Sequence, residues 1–222
     1  MAVAIALDGP AGAGKSTIAR RAAKALDYIY VDTGALYRTI GLAAMRRGIE
    51  PKPSQAVNDM LSQIKVELAF NENTEQIVLL DGEDVSSLIR TPEASMAASK
   101  ISAIPQVREF LLELQRDMAR KNNVIMDGRD IGTVVLPDAR VKIFLTAAPE
   151  ARAQRRYKEL KEKGFEVSFE DILKDVNERD YNDSHRETAP LKPAKGCIFV
   201  DTTELDFEQS VEKIISVIKE NV

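Results

Sequence analysis

The stretch Gly9-Pro10-Ala11-Gly12-Ala13-Gly14-Lys15-Ser16-Thr17 constrains this chain more than any other. It matches the spacing G-x-x-x-x-G-K-[ST], follows the apolar run Ala2 to Leu7, and opens onto Thr17 to Leu26, a good helix former. In that setting glycines let the backbone curl until successive N–H groups face one point, and the helix N-terminus adds the positive end of its dipole. Linked phosphates are the ligand such a cradle suits. Lys15 is placed to span the terminal phosphates of a nucleoside triphosphate, and the Ser16 hydroxyl to ligate Mg²⁺. The bland alternative, a glycine-rich turn carrying a surface lysine, does not call for a strand before it and a helix after it.

Short apolar runs alternate with longer helical stretches along the chain, which predicts an α/β fold: a mostly parallel sheet with helices on both faces. The strand candidates are Val3 to Leu7, Tyr28 to Val31, Val124 to Met126, Val141 to Leu145 and Ile198 to Val200. Helices are expected from Gly34 to Arg47, with Gly48 as a stop; from Pro105, with Val107, Phe110, Leu111 and Leu114 on one face; and from Phe207 to Lys219. Two segments break the alternation. Lys65 to Leu80 reads as a β-hairpin around Asn71-Glu72-Asn73-Thr74, a small antiparallel insert. Glu150 to Glu187 is densely charged and includes Arg152, Arg155, Arg156, Arg179 and Arg186, a set that suits a mobile cover over phosphates.

Composition narrows the partners. With 222 residues and 44% hydrophobic content the chain can bury a full core with insertions. Its formal net charge of −4 provides no basic field for nucleic acid, so a negative ligand must be held by individually placed cations. The N-terminus lacks the basic start of a signal peptide, and no apolar stretch approaches the roughly 20 residues that span a bilayer. A cytoplasmic location, away from membranes, is therefore expected. No helix shows a second apolar face, which favours a monomer. The one cysteine, Cys197, cannot form an intrachain disulfide and reads as a small buried strand residue.

A triphosphate with Mg²⁺ needs a carboxylate at the end of a second core strand. Asp127, directly after Val124-Ile125-Met126, is the best candidate for the outer-shell Mg²⁺ partner, with Asp8 beside the loop as its rival. No Asn-Lys-x-Asp guanine reader occurs, which argues against a switch GTPase, and no module is evident that couples hydrolysis to work. A kinase of a small acceptor remains. Arg38, Arg108, Arg129 and Arg186 follow strands or lie in helices that precede them, where ligand-binding loops of open α/β sheets gather. An acceptor that is itself a phosphate is ionised at neutral pH and needs charge neutralisation rather than a base. His185, the single histidine, accordingly reads as an exposed lid-helix residue.

Five stretches together resemble the bacterial cytidylate kinases over essentially the whole chain: Asp8 to Thr17, Asp32-Thr33-Gly34-Ala35-Leu36-Tyr37-Arg38, Asp81 to Val85, Asp127-Gly128-Arg129-Asp130-Ile131-Gly132-Thr133-Val134-Val135 and Glu178-Arg179-Asp180. The resemblance implies a P-loop core over 1–34, 85–150 and 188–222, a monophosphate-binding subdomain over about 35–84 with the small antiparallel sheet, and a helical lid over about 151–187. It implies ATP as phosphoryl donor, Mg²⁺, and CMP or dCMP as acceptor. Thr33, Arg38, Arg129 and Arg186 would contact the acceptor phosphate, with Asp183 and Tyr37 near the ribose. Ser99, Arg108 and Asp130 would read the base, while Arg155, Arg156 and Arg179 are lid partners for the donor phosphates. Lys15, Arg129 and Arg186 would carry the catalysis. Two positions vary within the family: Thr33, where Ser also occurs, and Asn182, where some relatives have Arg. Kinases of shikimate, UMP or AMP share the loop but give no reason for the set Ser99, Arg108 and Asp130.

Overall fold

The computed structural model describes residues 2–72, 76–162 and 164–222. In chain order its elements begin with β1 (Ala4–Asp8), α1 (Lys15–Leu26), β2 (Ile29–Asp32), α2 (Thr33–Arg46) and α3 (Gln55–Gln63). There follow β3 (Val66–Phe70), β4 (Gln76–Leu80), β5 (Glu83–Asp84), α4 (Pro92–Ile101), α5 (Pro105–Lys121) and β6 (Val124–Gly128). The chain ends with β7 (Val141–Thr146), α6 (Pro149–Glu162), α7 (Phe169–His185), β8 (Ile198–Asp201) and α8 (Phe207–Asn221).

Five strands form one parallel sheet in the order β2-β6-β1-β7-β8. The strand in the middle, β1, is the most apolar for a physical reason: covered on both faces, its Ile5, Ala6 and Leu7 are fully buried. Leu7 pairs with Asp127 and Ile143, and Asp32 also pairs with Asp127, so β1, β2, β6 and β7 deliver their C-terminal ends to one edge. Ligand-binding loops of such sheets collect there. Helix α1 buries Ile18, Ala19, Ala22 and Ala23, and α8 buries Val211, Ile214, Val217 and Ile218 in the same cluster. A capping box at Asp206 and Gln209 starts α8.

The insert forms its own three-stranded antiparallel sheet, β3-β4-β5. The expected hairpin is present with Val66 opposite Leu80, and Asn73 and Thr74 of its expected loop lie outside the described residues. The third strand follows a tight turn at Asp81 and Gly82, both at positive φ (52° and 85°), the mirror-image turn that Asp-Gly favours. The small sheet packs with α2 and α3 and with residues further on, since Val85, Ile89, Ile101, Ile104, Val107 and Leu111 share one apolar cluster with Leu36 and Ile40. Gln76 links the two sheets: its Oε1 accepts from the Asp32 amide at 2.8 Å and its Nε2 donates to the Asp32 carbonyl at 3.3 Å. Helices α6 and α7 pack on each other around Ala153, Ile172 and Val176.

Two expectations need correction. Phe110 does not join the buried stripe of α5; it is 36% exposed, while Val107 and Leu111 beside it are fully buried. Cys197 is half-buried rather than buried and sits in the turn before β8, where its amide donates to the Ala194 carbonyl. Phe199 of β8 points to solvent and leans on Phe144 at 5.5 Å between ring centroids, because β8 is an edge strand.

Candidate active site

The loop between β1 and α1 can curl only because of its glycines. Gly9 has φ 152°, and a Cβ there would lie 1.9 Å from the Leu145 carbonyl oxygen on β7. Gly14 caps α1 at φ 81°. Lys15 opens that helix almost fully buried, and its Nζ donates to the Pro10 carbonyl at 2.7 Å. Burial pushes its ammonium below the usual lysine range, and the neighbouring Arg129 adds to the shift, against the opposing pull of Asp127, Asp183 and Asp8.

The two rival carboxylates separate by partner. Both oxygens of Asp8 are taken by main-chain amides, Oδ1 by Ile131 and Oδ2 by Gly132, each at 2.7 Å. Those bonds hold the single wide turn over Ile131–Val135 that follows Asp130. Burial outweighs them and raises the Asp8 pKa to about 6. Asp127 instead faces the loop: Ser16 Oγ donates to its Oδ2 at 2.8 Å, and Tyr30 donates to its Oδ1 at 3.0 Å. Its proton affinity is raised as well, by burial first and then by Asp32.

A cleft of about 1010 Å³ runs from this loop to the far side of the sheet edge. Its walls include Gly12, Gly14, Lys15, Ser16 and Thr17 at one end and Tyr37, Ser99, Arg108 and Asp130 at the other. Between them lie Thr33, whose Oγ1 donates to the Asp127 carbonyl at 2.7 Å, and Arg38, paired with Asp32 at 2.8 Å. Arg129 reaches from the end of β6 to Asp183 on α7, with Nε 2.8 Å from Oδ2. Arg108 of α5 forms a buried ion pair with Asp130, donates to the Ser102 carbonyl at 3.1 Å, and lies 5.5 Å from the centre of the Tyr37 ring. Burial raises the Asp130 pKa despite Arg108, Arg186 and Arg129 around it.

Arg186, just past α7, completes this end. Its Nε donates to the Ala189 carbonyl at 2.7 Å and its Nη1 to Ser102 Oγ at 3.4 Å. Its Nη2 stands 3.5 Å from Asp130 Oδ1 and is buried without a hydrogen bond among the described residues. A buried guanidinium nitrogen that is ion-paired but not hydrogen-bonded keeps a free N–H at the edge of the cleft. Several cations thus converge on one volume, which suits two phosphate-bearing ligands.

The arginines of α6 and α7 differ among themselves. Arg152 is 2% exposed and fully engaged: it donates to the Ala147 and Ala11 carbonyls, both at 2.8 Å, and to Asp180 at 3.0 Å. It ties α6 to the glycine-rich loop and to α7 rather than standing free to cover phosphates. Arg155 lines the cleft while donating to the Thr202 and Leu205 carbonyls. Arg156 pairs with Glu159 at 2.9 Å on the same helix. Arg179 lines the cleft with no ion pair among the described residues. His185 is exposed, stacked on Tyr181 at 4.1 Å between centroids, and does not border the cleft.

Two contributors carry no sequence signal of their own. Ser102, after α4, bridges Arg108 and Arg186 through its carbonyl and hydroxyl. Tyr30 reads as an ordinary strand residue, and only the register of β2 against β6 brings its hydroxyl to Asp127.

Comparison with known proteins agrees with this architecture. A solved structure of an uncharacterized protein from Eubacterium ventriosum superposes with a TM-score of 0.54 at 12% identity, covering 99% of each chain, and supports the fold alone. A cytidylate kinase of Caldicellulosiruptor saccharolyticus is 50% identical over 211 residues, covering 95% of this chain and 93% of its own. One from Fervidobacterium nodosum is 49% identical over 216 residues, with 97% and 96% covered. The profile of the family described as cytidylate kinase matches residues 5–220. By that near-complete match, and with a glycine-rich phosphate loop at the edge of a parallel sheet, the chain belongs to the cytidylate kinase family.

Proposed function

We propose that this chain transfers the γ-phosphoryl group of ATP to CMP, and to dCMP, releasing ADP and the cytidine diphosphate. The observation that carries this reading is the single cleft joining the phosphate loop to the buried Arg108–Asp130 pair. The bond from the γ-phosphorus to the ADP oxygen breaks as a bond forms to an oxygen of the acceptor phosphate. That oxygen is already ionised, so positioning and charge neutralisation supply the catalysis.

At the donor end, residues Gly9 to Thr17 hold the triphosphate, with Arg155 and Arg179 of the lid on its outer side. Lys15 exchanges the Pro10 carbonyl for phosphate oxygens, which favour its charged form. Ser16 Oγ and Asp127 Oδ2 form a pair of hard oxygen donors beside the loop, which fits Mg²⁺, an ion that takes one or two protein oxygens and completes its shell with phosphate and water. When bound, Mg²⁺ offsets charge on the phosphoryl oxygens.

At the acceptor end, Thr33, Arg38, Arg129 and Arg186 hold the monophosphate, and Asp183 and Tyr37 the ribose. Ser99, Arg108 and Asp130 read the base. Cytosine presents an amino donor at N4, which a carboxylate accepts, and acceptors at N3 and O2, to which arginine and serine donate. Uracil reverses the first two polarities and leaves buried groups mispaired. Residues of about 35–84 act as the monophosphate-binding subdomain and about 151–187 as a lid that excludes water on closing. We place the enzyme in the cytoplasm as a monomer with small-molecule partners; among the described residues no helix is long and apolar enough to cross a membrane.

The test is ADP release with ATP, Mg²⁺ and each of CMP, dCMP, UMP, AMP and shikimate. CMP and dCMP should accelerate it strongly and the others weakly. Acceleration by none of them would remove the kinase reading.

A further inference from the structure

Asp127 is held on both sides. Ser16 Oγ takes Oδ2 at 2.8 Å, and the Tyr30 hydroxyl takes Oδ1 at 3.0 Å. Both side chains are nearly closed to solvent, Tyr30 at 8% and Asp127 at 4% exposure. Tyr30 is itself fixed. It lies on β2 in register with Ile125 of β6, packs in the cluster that contains Ile18 and Ala22 of α1, and has the Arg20 guanidinium 5.3 Å from its ring centre. The ring is thus a rigid strut between sheet and helix, and its hydroxyl ends at the carboxylate.

We infer that Tyr30 is a positioning residue for the cation end of the site: its hydroxyl holds Asp127 Oδ1 so that Oδ2 stays turned toward Ser16 and toward Mg²⁺. The inference rests on the reading above that Ser16 and Asp127 hold that ion. Without the hydroxyl, Oδ1 is a buried acceptor with one partner fewer, and the carboxylate is free to rotate toward other donors. Partners that orient a ligating carboxylate influence metal affinity by about 10–100-fold when removed. Tyr30 does not border the cleft, so it touches neither nucleotide and acts through Asp127 alone.

The experiment measures binding of a non-hydrolysable ATP analogue, first without metal and then as a function of Mg²⁺, in the wild type, Tyr30→Phe and Asp127→Asn. Phe keeps the ring and its packing. Tyr30→Phe should raise the Mg²⁺ midpoint about tenfold and leave metal-free binding of the analogue unchanged; Asp127→Asn should raise the midpoint at least as far. A midpoint unmoved by Tyr30→Phe but moved by Asp127→Asn overturns the role of Tyr30 alone. A midpoint unmoved by either overturns the metal reading beneath it. Parallel weakening of metal-free and Mg²⁺-dependent binding in Tyr30→Phe assigns Tyr30 a merely structural role and also overturns the inference. Fluorotyrosine labelling of the wild type reads the same contact without substitution: the Tyr30 fluorine resonance should shift when Mg²⁺ joins the analogue complex, and a resonance that does not respond counts against the inference even if Tyr30→Phe fails to fold.

Discussion

At the donor end of the cleft, one contiguous loop from Gly9 to Thr17 presents main-chain groups, while at the acceptor end Tyr37, Ser99, Arg108, Asp130 and Arg186 arrive from α2, α4, α5, the segment after β6 and the end of α7. The first construction depends on backbone path. It tolerates Pro10, Ala11 and Ala13 but not a Cβ at Gly9, which the Leu145 carbonyl would meet at 1.9 Å. The second depends on charge. Asp130 is buried with both Arg108 and Arg186 as ion-pair partners, so removing one member strands the others in a low-dielectric place. In the proposed reading, affinity for a phosphate chain is therefore a property of the fold, whereas choice of acceptor is a property of a few side chains brought together by it.

That contrast can be broken from either side. The largest effect should come from Lys15→Met, which removes the one charged side chain between Gly9 and Thr17: kcat should fall about a thousandfold in a coupled ADP-release assay, with the KM for CMP little changed. A loss under tenfold would mean that the loop backbone suffices. Next, Arg129→Ala should lower kcat about a hundredfold, and circular dichroism should show an intact fold, because among the described residues its hydrogen-bond partners are Asp183 and the Gly128 carbonyl. Near-normal turnover would leave the acceptor phosphate without its proposed clamp. A smaller change is expected for Arg155→Ala, less than about tenfold in the KM for ATP, since its guanidinium is already engaged by the Thr202 and Leu205 carbonyls. A larger rise would show that those bonds yield to the donor phosphates.

The smallest effect concerns the support under both ends. Asp8 should titrate near pH 6 in carbon-detected NMR of its carboxyl group, because burial outweighs the two amides it accepts. Its folded pKa lies above the unfolded value of about 3.9, so the folded state binds the proton more tightly. Stability from this group is then lost as pH rises between roughly 4 and 6. A midpoint below about 4 would mean that the amides win.

Much of this was legible in the chain. Alternating apolar runs identified every strand of the large sheet to within about two residues, and the glycine-rich motif located the donor end, because both depend on local periodicity and backbone chemistry. Helices α3 and α4 were not assigned. Helix α4 buries only Ala94 and Ile101, and it meets α2 through small residues, with a Cβ at Gly41 falling 3.0 Å from that of Ala97. Such a contact leaves no apolar stripe to read. Arg152 is buried by the loop it ties down, and Tyr30 acquires its partner from strand register; neither fact has a local signature. Arg108 and Arg186 are legible from their places beside strands, but the base-reading set Ser99, Arg108 and Asp130 follows only from the family resemblance, since its spacing has no periodicity of its own.

In the proposed function the buried Arg108–Asp130 pair chooses the base, while the loop is indifferent to it. The direct measurement is the ratio of kcat/KM for CMP over UMP in Asp130→Asn against the wild type, with the KM for ATP as the internal reference. The ratio should fall at least about tenfold while the KM for ATP stays within about twofold of the wild type. An unchanged ratio would contradict the claim and move base recognition away from Asp130.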